Sequence, residues 1–159
     1  MSSSTCRNTR SWSNIPRTNV YRWTRINGGF APPTPSAIHT LVHSKDSPSQ
    51  IVVNSSVRPD GQPLLGEAQF KHLNVDEHSP LIDELESILK TIPVESPPGS
   101  QDIYGLDIGL VYGSDNLQWA NGGPAGCGQG YSENQAMDED KAKFKRAIEI
   151  INETLKQDA

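Results

Sequence analysis

Asp107 stands in a segment whose composition calls for an explanation. In residues 102–112 (DIYGLDIGLVY), Tyr104, Leu106, Ile108, Leu110 and Tyr112 alternate with a second set that includes Gly105, Asp107 and Gly109. Strict alternation predicts one long strand that buries the aromatic and aliphatic set. On its other face the two glycines leave Asp107 uncovered. Alternating glycines weaken a strand, and close approach of a ligand or of another backbone is a reason to keep them. A partly buried carboxylate at such a place can serve as general acid or base. The competing reading is a face open to water, with Asp107 solvated and the glycines a packing device.

The four histidines, His39, His43, His72 and His78, all fall inside a 40-residue window. A spacing of four puts His39 and His43 on one face of either a strand or a helix. With Asp76 and Glu77 they form a nitrogen and oxygen donor set, but the spacing matches no established ligand motif, so no metal site is assigned. His39 is retained as a second proton-transfer group beside Asp107.

Residues 113–131 form a long Gly-rich stretch ahead of a helical pattern. Cys127 sits among Gly122, Gly123, Gly126, Gly128 and Gly130, where bare amides and a helix start would favour a thiolate nucleophile. The amides of Gly126 and Gly128 suit an anionic or polar ligand, with Asp115 and Trp119 as pocket walls. The Gly-x-Gly-x-Gly spacing differs from the dinucleotide fingerprint, and no further strand follows, which excludes a Rossmann site. His78-Ser79-Pro80 and a single loop cysteine also exclude the His-x-Glu and Pro-Cys-x-x-Cys set of zinc nucleobase deaminases. No cofactor motif remains.

These groups must be positioned by few elements. Residues 37–43 and 50–57 are β-branched and joined by a polar turn, which predicts a hairpin; residues 66–75 read as a third strand. Ser79 as N-cap, Pro80 at the first helical position and an apolar stripe from Leu81 to Ile92 predict a helix over 80–92. A second helix is expected over about 133–157, with Ser132 and Gln135 as a capping box and Phe144, Ile148, Ile151 and Leu155 as its stripe.

Charge divides the chain. Residues 1–45 carry six basic side chains and no acid, whereas the remainder carries 8 basic and 19 acidic ones, a net −11. Residues 1–36 are therefore expected to be a basic extended arm whose Trp12, Tyr21 and Trp23 dock on the body, followed by a single α+β domain over 37–159. Arginines interleaved with aromatic rings also suit single-stranded nucleic acid. No apolar run exceeds three residues, so no membrane-spanning helix is expected. Two cysteines, Cys6 and Cys127, cannot build a disulfide framework, and no secretory apolar segment precedes them. A reducing, cytoplasmic setting is expected.

The sequence thus predicts a two-layer α+β fold, mainly antiparallel, with two helices on one sheet face. Its expected function is binding of a small polar molecule beside the 102–112 strand and the 113–131 loop. Cofactor-independent proton-transfer chemistry (isomerisation, dehydration or hydrolysis) is the enzymatic form of that expectation. The alternative is a non-catalytic binding or assembly module that uses the Arg- and Trp-rich arm to hold nucleic acid or protein.

Overall fold

The computed structural model describes residues 19–27, 35–96, 100–122 and 131–156. They form β1 (Asn19–Asn27), β2 (Ala37–Ser44), β3 (Gln50–Val57), β4 (Gln69–Asn74), α1 (Val75–Leu89), β5 (Ile108–Ser114), β6 (Gln118–Asn121) and α2 (Asp138–Lys156). The strands make one antiparallel sheet in the order β4-β3-β2-β1-β5-β6. Both helices pack on one of its faces, the two-layer α+β arrangement expected.

The helix-covered face follows from alternation. Trp23, Leu41, Ile51, Val53, Leu110 and Tyr112 point inward and are almost fully buried, against Leu85 and Leu89 of α1 and Phe144, Ile148 and Ile151 of α2. The helices cross the strands in opposite directions. α1 leaves β4 and ends where the Ile92 carbonyl accepts the Trp119 indole N–H of β6 at 3.2 Å. α2 starts near β6, where Phe144 lies 6.0 Å from Trp119, and ends where Lys71 of β4 donates to the Leu155 carbonyl. Glu84 and Arg146 join the helices midway by a two-point carboxylate–guanidinium contact at 2.9 and 3.2 Å.

Five expectations need correction. The boundary drawn after residue 36 does not detach β1, which is extended but lies inside the sheet, paired with β2 and β5 along its length. Trp23 is accordingly fully buried; Trp12 lies outside the described residues. Arg25 is tolerated within this strand because its guanidinium donates to the Asn152 side chain of α2. α1 begins five residues before Pro80. Asn74 is the N-cap, its side chain accepting from Asp76 N–H at 2.9 Å, with Asp76 and Glu77 in the first turn. Ser79 instead returns its hydroxyl to the Val75 carbonyl at 2.8 Å.

The strand expected over 102–112 begins only at Ile108. Asp102 accepts from the N–H groups of Gly105 and Asp107, at 2.9 and 2.8 Å, and folds the segment into a turn. Gly105 and Asp107 have φ of 73° and 53°, incompatible with a strand. Leu106 is exposed as a result, while Tyr104 reaches the core from the turn and stacks on Phe144 at 4.2 Å. α2 begins at Asp138, not near 133. Ser132 ties loops together instead, accepting from Ser96 N–H at 2.9 Å and Asn134 N–H at 3.1 Å. The helix start is capped by Asp140, which accepts from Met137 N–H at 3.0 Å. Part of the stretch expected to be loop, 118–121, is strand β6.

Candidate functional site

Where β5 ends, Tyr112, Ser114, Asp115 and Asn116 face the flank of α1. A spacing of three on that helix brings Asp83 and Glu86 to the same side, and His43 of β2 closes the base. Together with Val75, Ser79 and Ile82 these residues line a cleft of about 340 Å3. A roughly 500 Å3 hollow between Pro59 and Gly66 is larger, but among its lining residues there is no titratable or nucleophilic side chain.

Glu86 organises the cleft. One carboxylate oxygen accepts from the Tyr112 hydroxyl at 2.6 Å and the Ser114 hydroxyl at 3.0 Å. The other meets the Lys90 ammonium at 3.1 Å. Partial burial raises the affinity of Glu86 for a proton, yet the donors Tyr112, Lys90 and Ser114 outweigh it and hold the carboxyl below the usual glutamate value. Glu86 is thus an anion fixed in position and a weak base. Ser114 is itself held by the turn, accepting from Asn116 and Leu117 N–H, both at 3.2 Å. The His43 imidazole is buried and bonds the Pro48 carbonyl through Nε2 at 3.1 Å.

Of the residues expected from sequence, Asp115 lies in this cleft. Asp107 does not: it sits in the turn at the opposite end of β5. Its strand-face reading is corrected, because φ of 53° takes it out of the alternation. His39 lies on the helix-covered face beside Arg25 and Ser55, its Nδ1 2.9 Å from the Ser55 hydroxyl. It is not with Asp115. Burial, and then the charges of Arg25 and Lys71, keep this imidazole less basic than usual. Trp119 is core, with its ring against Phe144 and its N–H satisfied by Ile92, and it is not among the residues that line this cleft. Gly126, Cys127 and Gly128 lie outside the described residues; the segment leading to them departs from Gly122, whose N–H is held by the buried Glu95 carboxylate at 2.6 Å. The histidines do not converge: His72 is exposed on the uncovered sheet face, opposite His39 and His43. Among the described residues no cluster of three metal-ligating side chains occurs.

Glu86, Asp83, Tyr112 and Ser114 escaped the sequence reading. Asp83 read as a first-turn acid that complements the helix dipole, Glu86 carried no signal of its own, and Tyr112 read as core. The available signal was the spacing Asp83, Glu86, Lys90 together with the Tyr-Gly-Ser-Asp run at 112–115. Among the described residues no helix is long and apolar enough to cross a membrane. Comparison of the chain with protein-family models, with curated proteins and with solved structures returns no match.

Proposed function

We propose that the protein binds a small cationic ligand, an amine or guanidinium, in the cleft between α1 and the end of β5. The observation that carries this reading is the Glu86 carboxylate held at the cleft wall by Tyr112 and Ser114. Asp83 and Asp115 add negative charge at the rim, and the Tyr112 and Ser114 oxygens offer further acceptor sites. Lys90 is half exposed, so a ligand cation can take its place on the outer Glu86 oxygen at little cost in burial.

Binding is favoured over proton transfer because a general base working near neutral pH needs a raised carboxyl pKa, and the donors around Glu86 lower it. Calorimetric titration with a short diamine and with a guanidinium compound tests the reading. Binding should weaken by at least about tenfold in Glu86→Gln, the scale of one lost charge-assisted hydrogen bond. It should tighten in Lys90→Ala, where the competing cation is gone. Equal affinities in wild type and Glu86→Gln would place the cation elsewhere.

A further inference from the structure

The end of α2 is held to the sheet by two cations that lie beside a histidine. Arg25, His39 and Ser55 are neighbours in one row across β1, β2 and β3 on the helix-covered face. Lys71 of β4 belongs to the next row, with Val53, Leu41 and Trp23. The Arg25 guanidinium donates to the Asn152 side chain, and the Lys71 ammonium donates to the Leu155 carbonyl. Cations suit the last carbonyls of a helix, so these contacts dock residues 152–156 on the sheet.

The groups around the His39 imidazole come from four elements. β1 supplies Arg25 and β4 supplies Lys71, while β3 supplies the neutral Ser55 hydroxyl, 2.9 Å from Nδ1. α2 reaches the cluster through Asn152 and Leu155, which are also neutral. Its acids Glu149 and Glu153 turn instead to Arg146, at 3.7 and 3.8 Å, and Lys156 is exposed. Among the described residues the charges that act on His39 are therefore those of Arg25 and Lys71, and together with burial they make it less basic than usual.

We propose that His39 is a pH-sensitive latch for the end of α2: beside a neutral imidazole Arg25 and Lys71 hold residues 152–156 on the sheet, and its protonation in mild acid frees that end. Three positive charges confined to one partly buried place repel one another. While α2 is docked, Asn152 and Leu155 keep Arg25 and Lys71 where they are. Undocking lets both cations turn to water and hydrates the imidazole. The undocked end thus takes up the proton more readily, and its population grows as pH falls below about 6.5 and is unaffected above it. The other end of α2, where Phe144 stacks on Tyr104, makes no contact with this cluster.

Hydrogen exchange of the full chain at about pH 7.5 and about pH 5, corrected for the intrinsic pH dependence of exchange, tests the proposal. An imidazole that titrates at about 6.5 when free sets a ceiling of roughly 30-fold on the effect, so amides of residues 152–156 should lose about 5- to 30-fold of their protection at the lower pH. They should open without the rest of the helix, and so exchange faster than amides of residues 144–148 at both pH values. His39→Gln keeps a polar partner for Ser55 and should hold the change within about twofold. If that variant does not fold, proton NMR of the wild type decides: protection should stop falling once the His39 ring signals have reached their acid position. Unchanged protection of residues 152–156 in the wild type overturns the proposal. So does an equal acid response in His39→Gln, equal protection of the two segments, or a fall in protection that follows the ring signals of His43, His72 or His78.

Discussion

The Tyr112 hydroxyl donates to the Glu86 carboxylate at 2.6 Å across the seam between β5 and α1. The ring of Tyr112 is fully buried in the core, while its oxygen helps form the cleft wall. One residue therefore links the packing of the helix on the sheet to the charge at the candidate site.

Tyr112→Phe separates these two roles. The ring stays and the donor is lost, so Glu86 loses the strongest of the hydrogen bonds that hold its proton off. Its pKa should rise, and stability above the carboxylate range should fall by about 1.5–3 kcal/mol, the usual worth of a hydrogen bond to a charged group. Glu86 is depressed in the folded state, so its contribution is present above the unfolded carboxyl pKa and lost as pH falls through the folded one. Urea denaturation at neutral and acidic pH measures this. The gap between wild type and variant should narrow in acid, and a constant gap would show that Tyr112 acts through packing alone.

His39 gives a pH dependence that appears at milder acidity. Burial, then Arg25 and Lys71, lower its pKa from the ordinary 6.5. The unfolded chain therefore takes up this proton before the folded one, and stability falls as pH drops through the interval below about 6.5. Above that interval the imidazole is neutral in both states and contributes no slope. Ser55 bonds its Nδ1, and the two cations are the charged groups that face it. His39→Gln keeps a polar partner for Ser55 and removes the titration. Its denaturation midpoint should change less than that of the wild type between about pH 7.5 and about pH 5. Parallel curves for the two proteins would count against this account.

Trp23→Ala tests whether β1 is interior. The indole is fully buried between the sheet and the helices. Its removal should destabilise by about 3–5 kcal/mol, as large aromatic truncations in cores do. A loss below about 0.5 kcal/mol, the range of surface substitutions, would mean that residues 19–27 are an appendage after all.

The hairpin of β2 and β3, strand β4 and both helices were legible because periodicity and turn chemistry agree there. β1 was read as part of an arm because residues 1–45 carry six basic side chains and no acid. What admits Arg25 to the interior is Asn152, 127 positions away, a partner invisible to local reading. At α1 Ser79-Pro80 was read as the start, whereas the helix is capped by Asn74, with Glu77 three residues on. The site was less legible than the fold. Asp115 was reached from its own loop, but Glu86 acquires its role only through the β5 end that α1 crosses.

The glycines of residues 105–109 carry the last contrast. Periodicity put Gly105 and Gly109 on one strand face, either as a place for close approach or as a packing device. Their environments differ: Gly105 has φ of 73° with nothing within 4 Å of an added Cβ, whereas Gly109 is in β5, and its Cβ would meet the Asn121 carbonyl at 3.6 Å. Space is plentiful at Gly105 and conformation is not. An L-residue there must adopt the left-handed region, so Gly105→Ala should destabilise by about 1–2 kcal/mol. Gly109→Ala keeps an extended backbone and makes only ordinary contacts. By restricting the unfolded chain it should be neutral or stabilising by up to about 1 kcal/mol. Urea denaturation of both variants at one protein concentration makes the comparison. If Gly109→Ala proved the more damaging, Gly109 would be the packing device and the Asp102 turn would tolerate a side chain.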